Sequence, residues 1–358
     1  MDIKERLELI KQVGEEIITE EDLVKLLKEK KQPVAYDGFE PSGTNIHIAQ
    51  GLLRAININK MIKAGCKFKI WVADWHAWAN NKMDGDLEKI QKVGKYLIEV
   101  WKACEMDLSK VEFVWANDAM KDVNYWKIVM QIARNSTLNR IIRCSQIMGR
   151  SEKEALQASQ IFYPCMQCAD IFYLNVDIAQ LGMDQRKVNM LARELGPKLG
   201  FWRPVAVHHH MLMGLGQPPA GEATVEKAIA MKMSKSNPDS AIFMDEPEEE
   251  IRRKINKAYC PEGIVKENPI LEYCKYIIFE KFKELKIERP AKFGGDLAIG
   301  SYQELEDLFN KKELHPMDLK KTVSEKLIEL LKPVKIKLKK NKTAQKLATE
   351  IKGFEVTK

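Results

Sequence analysis

The fold of this chain is decided by residues 34–50, which read VAYDGFEPSGTNIHIAQ. The first six residues are mostly apolar, aromatic or β-branched, which favours a strand, and the Pro-Ser-Gly turn at 41–43 follows it. The segment 46–64 then repeats apolar residues with a helical period, with Thr44 or Asn45 as its N-cap. A strand, a turn and a helix in this order predict the first unit of a parallel α/β sheet.

Further strand-like runs follow at residues 68–73, 111–116, 178–181 and 205–208. Helix-length periodic segments separate them, so we predict an α/β fold with a Rossmann-like, doubly wound parallel sheet. Ligands bind such sheets at the carboxyl ends of the strands. After Pro238 the strand signals stop and helical patterns dominate. We therefore predict a Rossmann-like domain with N-terminal helices over residues 1–238, and an all-helical domain with a basic tail over 239–358.

A helical insertion at about residues 121–159 is more apolar than a crossover facing solvent needs. Its apolar side chains include Trp126, Met130 and Leu138. A self-association surface explains this composition, and an ordinary core explains it equally well, so both interpretations stay open.

The composition excludes several classes of protein. The chain has 358 residues with 45% hydrophobic and 30% charged side chains, the balance of a globular protein with two domains. No run of about eighteen apolar residues occurs and the first six residues are mostly charged, so we expect no membrane span and no secretion. Seven cysteines with scattered spacing favour a reducing compartment, and the cytoplasm fits best.

The formal net charge of +7 is uneven, because seven lysines lie between residues 332 and 346. A polyanionic partner at this end of the chain is one explanation. A frayed, solvated tail is the other, and the sequence does not separate them.

The most specific motif is Lys232-Met233-Ser234-Lys235-Ser236, which lies beyond the last predicted strand. Two ammonium groups on one loop can contact phosphates as point charges and can close on a transition state. The alternative is a solvated basic loop without a ligand.

A second motif is His47-Ile48-Ala49-Gln50, at the start of the helix that follows the first predicted strand. Helix N-termini favour anions, and a His there can donate to phosphates as their charge redistributes. A solvent-exposed or capping His is the alternative for this motif taken alone.

A third pattern is a polar stripe on one predicted helix. Tyr163, Gln167 and Asp170 are spaced i, i+4 and i+7, so they share one face. A buried Asp has to be matched by a polar partner, which suits a polar ligand. An internal hydrogen-bond network without a ligand is the alternative.

Two further patterns resemble metal sites only superficially. Cys165 and Cys168 form a CxxC, but no second CxxC follows and both fall inside a predicted helix. The adjacent His208, His209 and His210 at a strand end point in different directions, which suits a loop-edge cluster. We therefore predict no metal held by the protein alone.

The order of these motifs resembles the class I aminoacyl-tRNA synthetases, whose two signatures are called HIGH and KMSKS. Ala49 and Gln50 stand where HIGH has its glycine and its second histidine. Within that class the chain is similar to tyrosyl-tRNA synthetases of the eukaryotic and archaeal kind, over most of its length. The similarity is carried by YDGFEPSG at 36–43, VADWHA at 72–77, YPCMQCAD at 163–170 and GMDQRK at 182–187.

The resemblance implies an enzyme that activates L-tyrosine with ATP and Mg²⁺ and transfers the tyrosine to the 3′ end of tRNA(Tyr). It also implies a cytoplasmic homodimer built through the insertion, with an anticodon-binding C-terminal domain. Arg186 would contact the acceptor end of the tRNA. No membrane partner is expected.

The resemblance also assigns site residues. The catalytic residues would be His47, Gln50, Lys232 and Lys235. Tyrosine would be bound by Tyr36, Glu40, Tyr163, Gln167, Asp170 and Gln185. ATP would be bound by these four catalytic residues together with Gly38, Pro41, Ser42, Gly43, Ala49, Met233, Ser234 and Ser236.

Two rival functions remain at this stage. A tryptophanyl-tRNA synthetase shares the class signatures, but indole offers only a donor, whereas Asp170 with Tyr36 suits a phenol that both donates and accepts. The second rival is a non-catalytic RNA-binding protein that has kept the synthetase fold. The intact signature lysines and the complete set of pocket residues argue against it.

Overall fold

The central feature of the fold is a six-stranded sheet with the strand order β1-β6-β5-β2-β3-β4. The computed structural model describes residues 1–148, 157–221, 227, 231, 233 and 237–354. The strands are β1 Gly14–Ile18, β2 Val34–Phe39, β3 Lys67–Val72, β4 Val111–Trp115, β5 Ile178–Gly182 and β6 Val205–His209. The predicted strands are confirmed as β2 to β6, and they pair in parallel. The α/β class with a parallel sheet follows directly from them.

The edge strand β1 was not predicted, and it makes the sheet mixed rather than purely parallel. It pairs antiparallel with β6, with Ile17 opposite Val207. Its sequence starts Gly-Glu-Glu and it is only partly buried, so it lacks the apolar run that marks the other strands.

Helices cover the sheet and connect its strands. They are α1 Ile3–Lys11, α2 Glu20–Glu29, α3 Arg54–Lys63, α4 Asp74–Ala79, α5 Leu87–Ala103, α6 Ala116–Ala119, α7 Val123–Arg134, α8 Leu138–Cys144, α9 Ala158–Tyr173 and α10 Arg186–Lys198. Side-chain caps fix several of their starts, as where Asp86 accepts from the backbone N–H of Lys89 at the start of α5. Within the described residues, no helix is long and apolar enough to cross a lipid bilayer.

The helix predicted over 46–64 begins later than expected. A π-helical turn over Ala49–Leu53 leads into α3, and neither Thr44 nor Asn45 is its cap. Residues 46–48 are instead paired with a distant segment, because Ile48 N–H donates to Ile242 O at 2.8 Å. That pairing uses the backbone groups that an earlier helix start would need.

The predicted insertion is helical, as α7 and α8. The inner face of α7 buries Tyr125 and Ile132, whereas its outer face exposes Val123 by 80% and Met130 by 57%. The insertion therefore supplies core on one side and an exposed apolar surface on the other. Its last part, residues 149–156, lies outside the described residues.

The C-terminal region is mainly helical, as predicted. Its helices are α11 Glu248–Lys257, α12 Pro269–Tyr273, α13 Phe279–Lys281, α14 Tyr302–Asn310, α15 Pro316–Lys340 and α16 Lys342–Ile351. The expectation that it is entirely helical was wrong in one detail, because β7 Leu285–Ile287 and β8 Leu297–Ile299 form an antiparallel pair. Strands of three residues are too short to produce a readable alternation.

The basic stretch at residues 332–346 is a packed helical structure rather than a frayed tail. Leu338, Ala344 and Ile351 are buried in the main core, which also includes residues of α5. Asn341 donates to Glu99 Oε2 at 2.7 Å, and Lys337 Nζ lies 3.4 Å from Ala103 O at the end of α5. A lysine near the carboxyl end of a helix is favourable there. Some of the lysines that suggested a polyanionic partner thus have internal partners.

Candidate active site

A cleft of about 260 Å³ opens at the carboxyl ends of β2, β5 and β6, the edge expected for a parallel sheet. It brings together every residue predicted to bind tyrosine: Tyr36, Glu40, Tyr163, Gln167, Asp170 and Gln185. It also contains His47, Ala49 and Gln50 of the second motif. Residues that are up to 149 positions apart in the sequence, from Tyr36 to Gln185, therefore line one site.

One end of the cleft is built around the carboxylate of Asp170, which α9 places in the interior with 1% exposure. The hydroxyl of Tyr125 donates to Asp170 Oδ1 at 2.7 Å. His76 Nε2 lies 3.0 Å from Asp170 Oδ2. A carboxylate can accept about four hydrogen bonds, and Asp170 Oδ2 accepts none from the described residues, so Asp170 is able to accept another.

Tyr36, on β2, is the second group at this end of the cleft. Its hydroxyl is buried and has no hydrogen-bond partner among the described residues. Burial, and then the charge of Asp170, raise the pKa of Tyr36 well above its usual value, so the hydroxyl keeps its proton. A buried donor without a partner is uncommon in a native protein and is expected where a ligand supplies the missing acceptor.

Sequence reasoning missed both partners of Asp170. His76 lies inside the stretch VADWHA at 72–77, but nothing in the local sequence indicated a functional role for it. Tyr125 lies on α7, 45 residues before Asp170, and nothing in the local sequence links the two. Only the packing of α7 against α9 brings the hydroxyl to the carboxylate.

Gln167 and Gln185 are joined directly, because Gln167 Nε2 donates to Gln185 Oε1 at 3.0 Å. Gln185 Nε2 in turn donates to Ile147 O at 3.1 Å, which fixes the orientation of both amides. Tyr163 is buried nearby, with its ring edge-on to His76 at 5.2 Å. On the other side, Glu40 Oε1 accepts from Asn80 at 2.9 Å. The result is an ordered polar wall with amide and carboxylate oxygens.

The predicted ATP residues are only partly brought together. Gly38, Ser42, His47, Ala49, Gln50 and Met233 line the cleft. Pro41 and Gly43 do not line it and lie in the irregular segment that follows β2. Lys232, Ser234, Lys235 and Ser236 fall outside the described residues, so their assignment stays a prediction.

Arg54, in the first turn of α3, is a cleft residue that the sequence analysis missed. Its Nε lies 2.9 Å from Asp37 Oδ2, and its Nη2 donates to Gly38 O at 3.3 Å. Burial raises the pKa of Asp37 to about 6, although Arg54 acts in the opposite direction. The spacing of Arg54 four residues after Gln50 was an available signal, since both lie on one helix face.

The three adjacent histidines do point in different directions. His208 lies 2.8 Å from Glu16 Oε2, whereas His210 lies 3.0 Å from Glu272 Oε2. His209 faces the cleft, where burial and then the charge of Arg54 lower its pKa to about 3 and keep the ring neutral.

Arg186, predicted to contact tRNA, lies outside the cleft. Its side chain is 47% exposed and its Nε is 2.8 Å from Glu16 Oε2. Glu16 also pairs with buried His208, so the position of Arg186 is linked to β6.

Comparison with known proteins identifies the family. The family model for the class I tRNA synthetases of tryptophan and tyrosine matches residues 28–332. The chain is 50% identical to "Tyrosine--tRNA ligase 1, cytoplasmic" of Arabidopsis thaliana, over 100% of this chain and 90% of that one. The chain belongs to the tyrosyl-tRNA synthetases.

Solved structures agree with this identification. A tyrosyl-tRNA synthetase from Pyrococcus horikoshii, crystallised with L-tyrosine, has a TM-score of 0.90 at 41% identity. The alignment covers 98% of this synthetase and 100% of the other chain. A tryptophanyl-tRNA synthetase from Aeropyrum pernix has a TM-score of 0.70 at 17% identity, over 98% and 93% of the chains. The tryptophan enzyme therefore shares the fold alone.

Proposed function

We propose that this synthetase activates L-tyrosine with ATP to form tyrosyl-adenylate and transfers the tyrosine to the 3′ end of tRNA(Tyr). One observation carries the proposal. The carboxylate of Asp170 and the unpartnered hydroxyl of Tyr36 are buried in the cleft that also holds His47. The names of the similar proteins support the same reaction.

The Asp170 end of the cleft selects the amino acid. The phenolic hydroxyl of the substrate donates to Asp170, and its oxygen accepts from Tyr36. Phenylalanine lacks this hydroxyl, so it would leave the buried groups of Asp170 and Tyr36 without a substrate partner. The free-energy cost of those unpaired groups is far larger than the energy of the lost contact itself. Tyr163, Gln167, Gln185 and Glu40 offer oxygen acceptors and negative charge for the ammonium end of the substrate.

The other end of the cleft holds ATP. A carboxylate oxygen of tyrosine attacks the α-phosphorus of ATP, the bond from this phosphorus to the bridging oxygen breaks, and pyrophosphate leaves. His47 and Gln50 stabilise the developing charge on the phosphates, and Lys232 and Lys235 act on the pyrophosphate side. The protein acts by position and charge rather than by covalent catalysis.

The remaining nucleotide contacts come from the residues at and after the end of β2 and from the lysine motif 232–236. Gly38, Ser42 and Ala49 shape the nucleotide side, with Pro41 and Gly43 in the irregular segment after β2. Met233, Ser234 and Ser236 belong to the lysine motif that approaches the phosphates. Arg54 adds a fixed positive charge at the same end.

Mg²⁺ fits as an ion that is bound mainly by the phosphates of ATP. Within the described residues, no group of three or more His, Cys, Asp or Glu side chains is arranged to hold a metal. The carboxylate of Asp184 also lines the cleft, and an oxygen ligand of this kind suits Mg²⁺, which keeps phosphates and water as its other ligands. When bound, the ion neutralises phosphate charge.

The tRNA and a second copy of the chain are the proposed macromolecular partners. Arg186 contacts the acceptor end, and the region 239–358 forms an anticodon-binding domain that follows the catalytic domain 1–238. The exposed apolar residues Val123, Met130 and Leu138 supply the face for a homodimer. The cytoplasm is the proposed compartment, as in the name of the Arabidopsis relative.

An exchange assay tests the reaction. The purified chain is incubated with ATP, labelled pyrophosphate and tyrosine, tryptophan or phenylalanine in turn. We expect label to enter ATP with tyrosine alone. Exchange driven by tryptophan would overturn the amino-acid assignment, and a folded chain that binds tRNA but shows no exchange would favour the non-catalytic RNA-binding protein.

A further inference from the structure

A short backbone pairing joins the His47 motif to the C-terminal half of the chain. Ile48 N–H donates to Ile242 O at 2.8 Å, and Met244 N–H donates to Ile46 O at 2.9 Å. His47 and Phe243 form the antiparallel bridge between them. The segment 242–244 follows the lysine motif 232–236 closely in the sequence, so this pairing links the neighbourhoods of both signatures.

The segment 238–246 is itself held by one buried lysine on α11. Lys254 is 4% exposed, and its ammonium donates to Pro238 O at 2.8 Å and to Ala241 O at 3.0 Å. It also forms an ion pair with Glu246. An ammonium has three donors, so Lys254 uses its full capacity at the two ends of this segment.

Glu246 completes the arrangement. Its Oε2 accepts from the backbone N–H of Phe243 at 3.0 Å, so the same carboxylate touches Lys254 and the residue opposite His47. The ammonium of Lys254 also lies 4.9 Å from the centre of the Phe243 ring. The position of His47 thus depends on its backbone pairing with the segment 242–244, and one buried ion pair fixes that segment.

Stability alone does not explain a buried ion pair. Removing two charges from water is costly, and apolar residues of similar size are often as stable or more stable. What apolar residues cannot do is hold two carbonyl groups and one N–H in a fixed arrangement. A geometric role therefore fits Lys254 and Glu246 better than a purely stabilising one.

We propose that Lys254, together with Glu246, is a positioning residue for adenylate formation. The pair fixes residues 238–246, and these fix His47 at the ATP side of the cleft through the bridge between His47 and Phe243. Lys254, Glu246 and residues 242–244 are not among the residues that line the cleft, so they act through His47 rather than on substrate. The inference rests on the proposed function of the cleft.

The test compares three variants of the full chain. Lys254→Met removes the ammonium, and Lys254→Met with Glu246→Gln also removes the carboxylate charge that the single change would leave buried and unpaired. Lys320→Met is the matched control, because Lys320 is also a buried lysine, 8% exposed, but it donates to Asn256 O in the last turn of α11 at 3.1 Å and not to residues 238–246. Each variant is measured by tyrosine-dependent ATP–pyrophosphate exchange, by tyrosine binding in equilibrium dialysis and by thermal unfolding.

We expect the double variant to lose roughly 10- to 100-fold in kcat of exchange, because a small displacement of a catalytic group has effects of that size. Its dissociation constant for tyrosine should stay at the wild-type value, since the Asp170 end of the cleft is unchanged. Lys320→Met should keep the wild-type kcat. If Lys254→Met does not fold, the kcat of the double variant, compared with that of the wild type, tests the inference.

Three results would overturn the inference: a wild-type kcat in the double variant, an equal loss of kcat in Lys320→Met, or a parallel loss of tyrosine affinity. A wild-type chain without tyrosine-dependent exchange would instead contradict the proposed function, so the two failures are distinguishable.

Discussion

The phenolic hydroxyl of Tyr125 donates a 2.7 Å hydrogen bond to Oδ1 of Asp170, and both side chains are buried. The bond joins α7 of the insertion to the carboxylate that we propose selects tyrosine. It orients Asp170 and occupies one oxygen, which leaves the other, beside His76, at the proposed phenol end of the cleft. The outer face of the same helix is exposed and apolar, so one helix serves both the pocket and the proposed dimer surface.

Replacing Tyr125 by Phe removes this hydroxyl and leaves Asp170 Oδ1 with an unmade hydrogen bond in the interior. We expect the free energy of unfolding to fall by about 1–3 kcal/mol, because an unsatisfied buried acceptor costs that much. The KM for tyrosine should rise by roughly tenfold, which corresponds to about 1.4 kcal/mol. Denaturant unfolding and the exchange assay measure the two quantities.

Tyr173→Phe is the matched control for that change. Tyr173 packs edge-on against Tyr125 at 5.3 Å, but its hydroxyl donates to Asp122 and not to Asp170. Its KM for tyrosine should be that of the wild type. Equal KM values for the two variants would show that Tyr125 does not orient Asp170.

Replacing Arg54 by Gln breaks its buried ion pair with Asp37. We expect the free energy of unfolding to fall by about 3–5 kcal/mol, because a carboxylate is left buried without its cation. Arg54→Gln combined with Asp37→Asn should recover most of this loss. Exchange activity of the double variant should stay roughly tenfold below that of the wild type, because the positive charge near the phosphates is still missing. Wild-type activity in the double variant would remove Arg54 from the ATP side.

His210 makes the stability of the fold depend on pH. Burial opposes its charge, but hydrogen bonds to Glu15 and Glu272 outweigh this and raise the pKa of His210 to about 9, above its usual 6.5. The folded state therefore holds the proton more tightly. This contribution, up to about 3 kcal/mol, is complete below pH 6.5 and is lost as the pH rises through about 9.

The measurement is the free energy of unfolding from pH 6 to pH 10 for the wild type and for His210→Gln. We expect the difference in the free energy of unfolding between the two proteins to shrink as the pH rises from 6.5 to 9. His315→Gln is the control, because His315 forms no ion pair among the described residues, and the backbone N–H of Met317 donates to its ring Nδ1. A difference that stays constant with pH would contradict the ion-pair explanation.

Much of the fold could be predicted because its signals are local. The strands β2 to β6 were recognisable from apolar, aromatic and β-branched runs, and the face of α9 from the spacing of Tyr163, Gln167 and Asp170. β1 was missed because a half-exposed edge strand tolerates a polar sequence, and the β7–β8 pair was missed because it is short. The late start of the helix after His47 could not be predicted, because its cause is a pairing partner about 195 residues away.

The sequence by itself determined the parallel sheet, the residues that meet at its carboxyl edge and the resemblance to the tyrosyl-tRNA synthetases. Periodicity and motif order are properties of neighbouring residues, so they survive without coordinates. Only the tertiary structure decided that Tyr125 and His76 flank Asp170, that Arg54 pairs with Asp37, and that Lys254 holds the segment opposite His47. Those contacts arise when separate helices pack, and the burial that makes each one matter exists only in the folded chain.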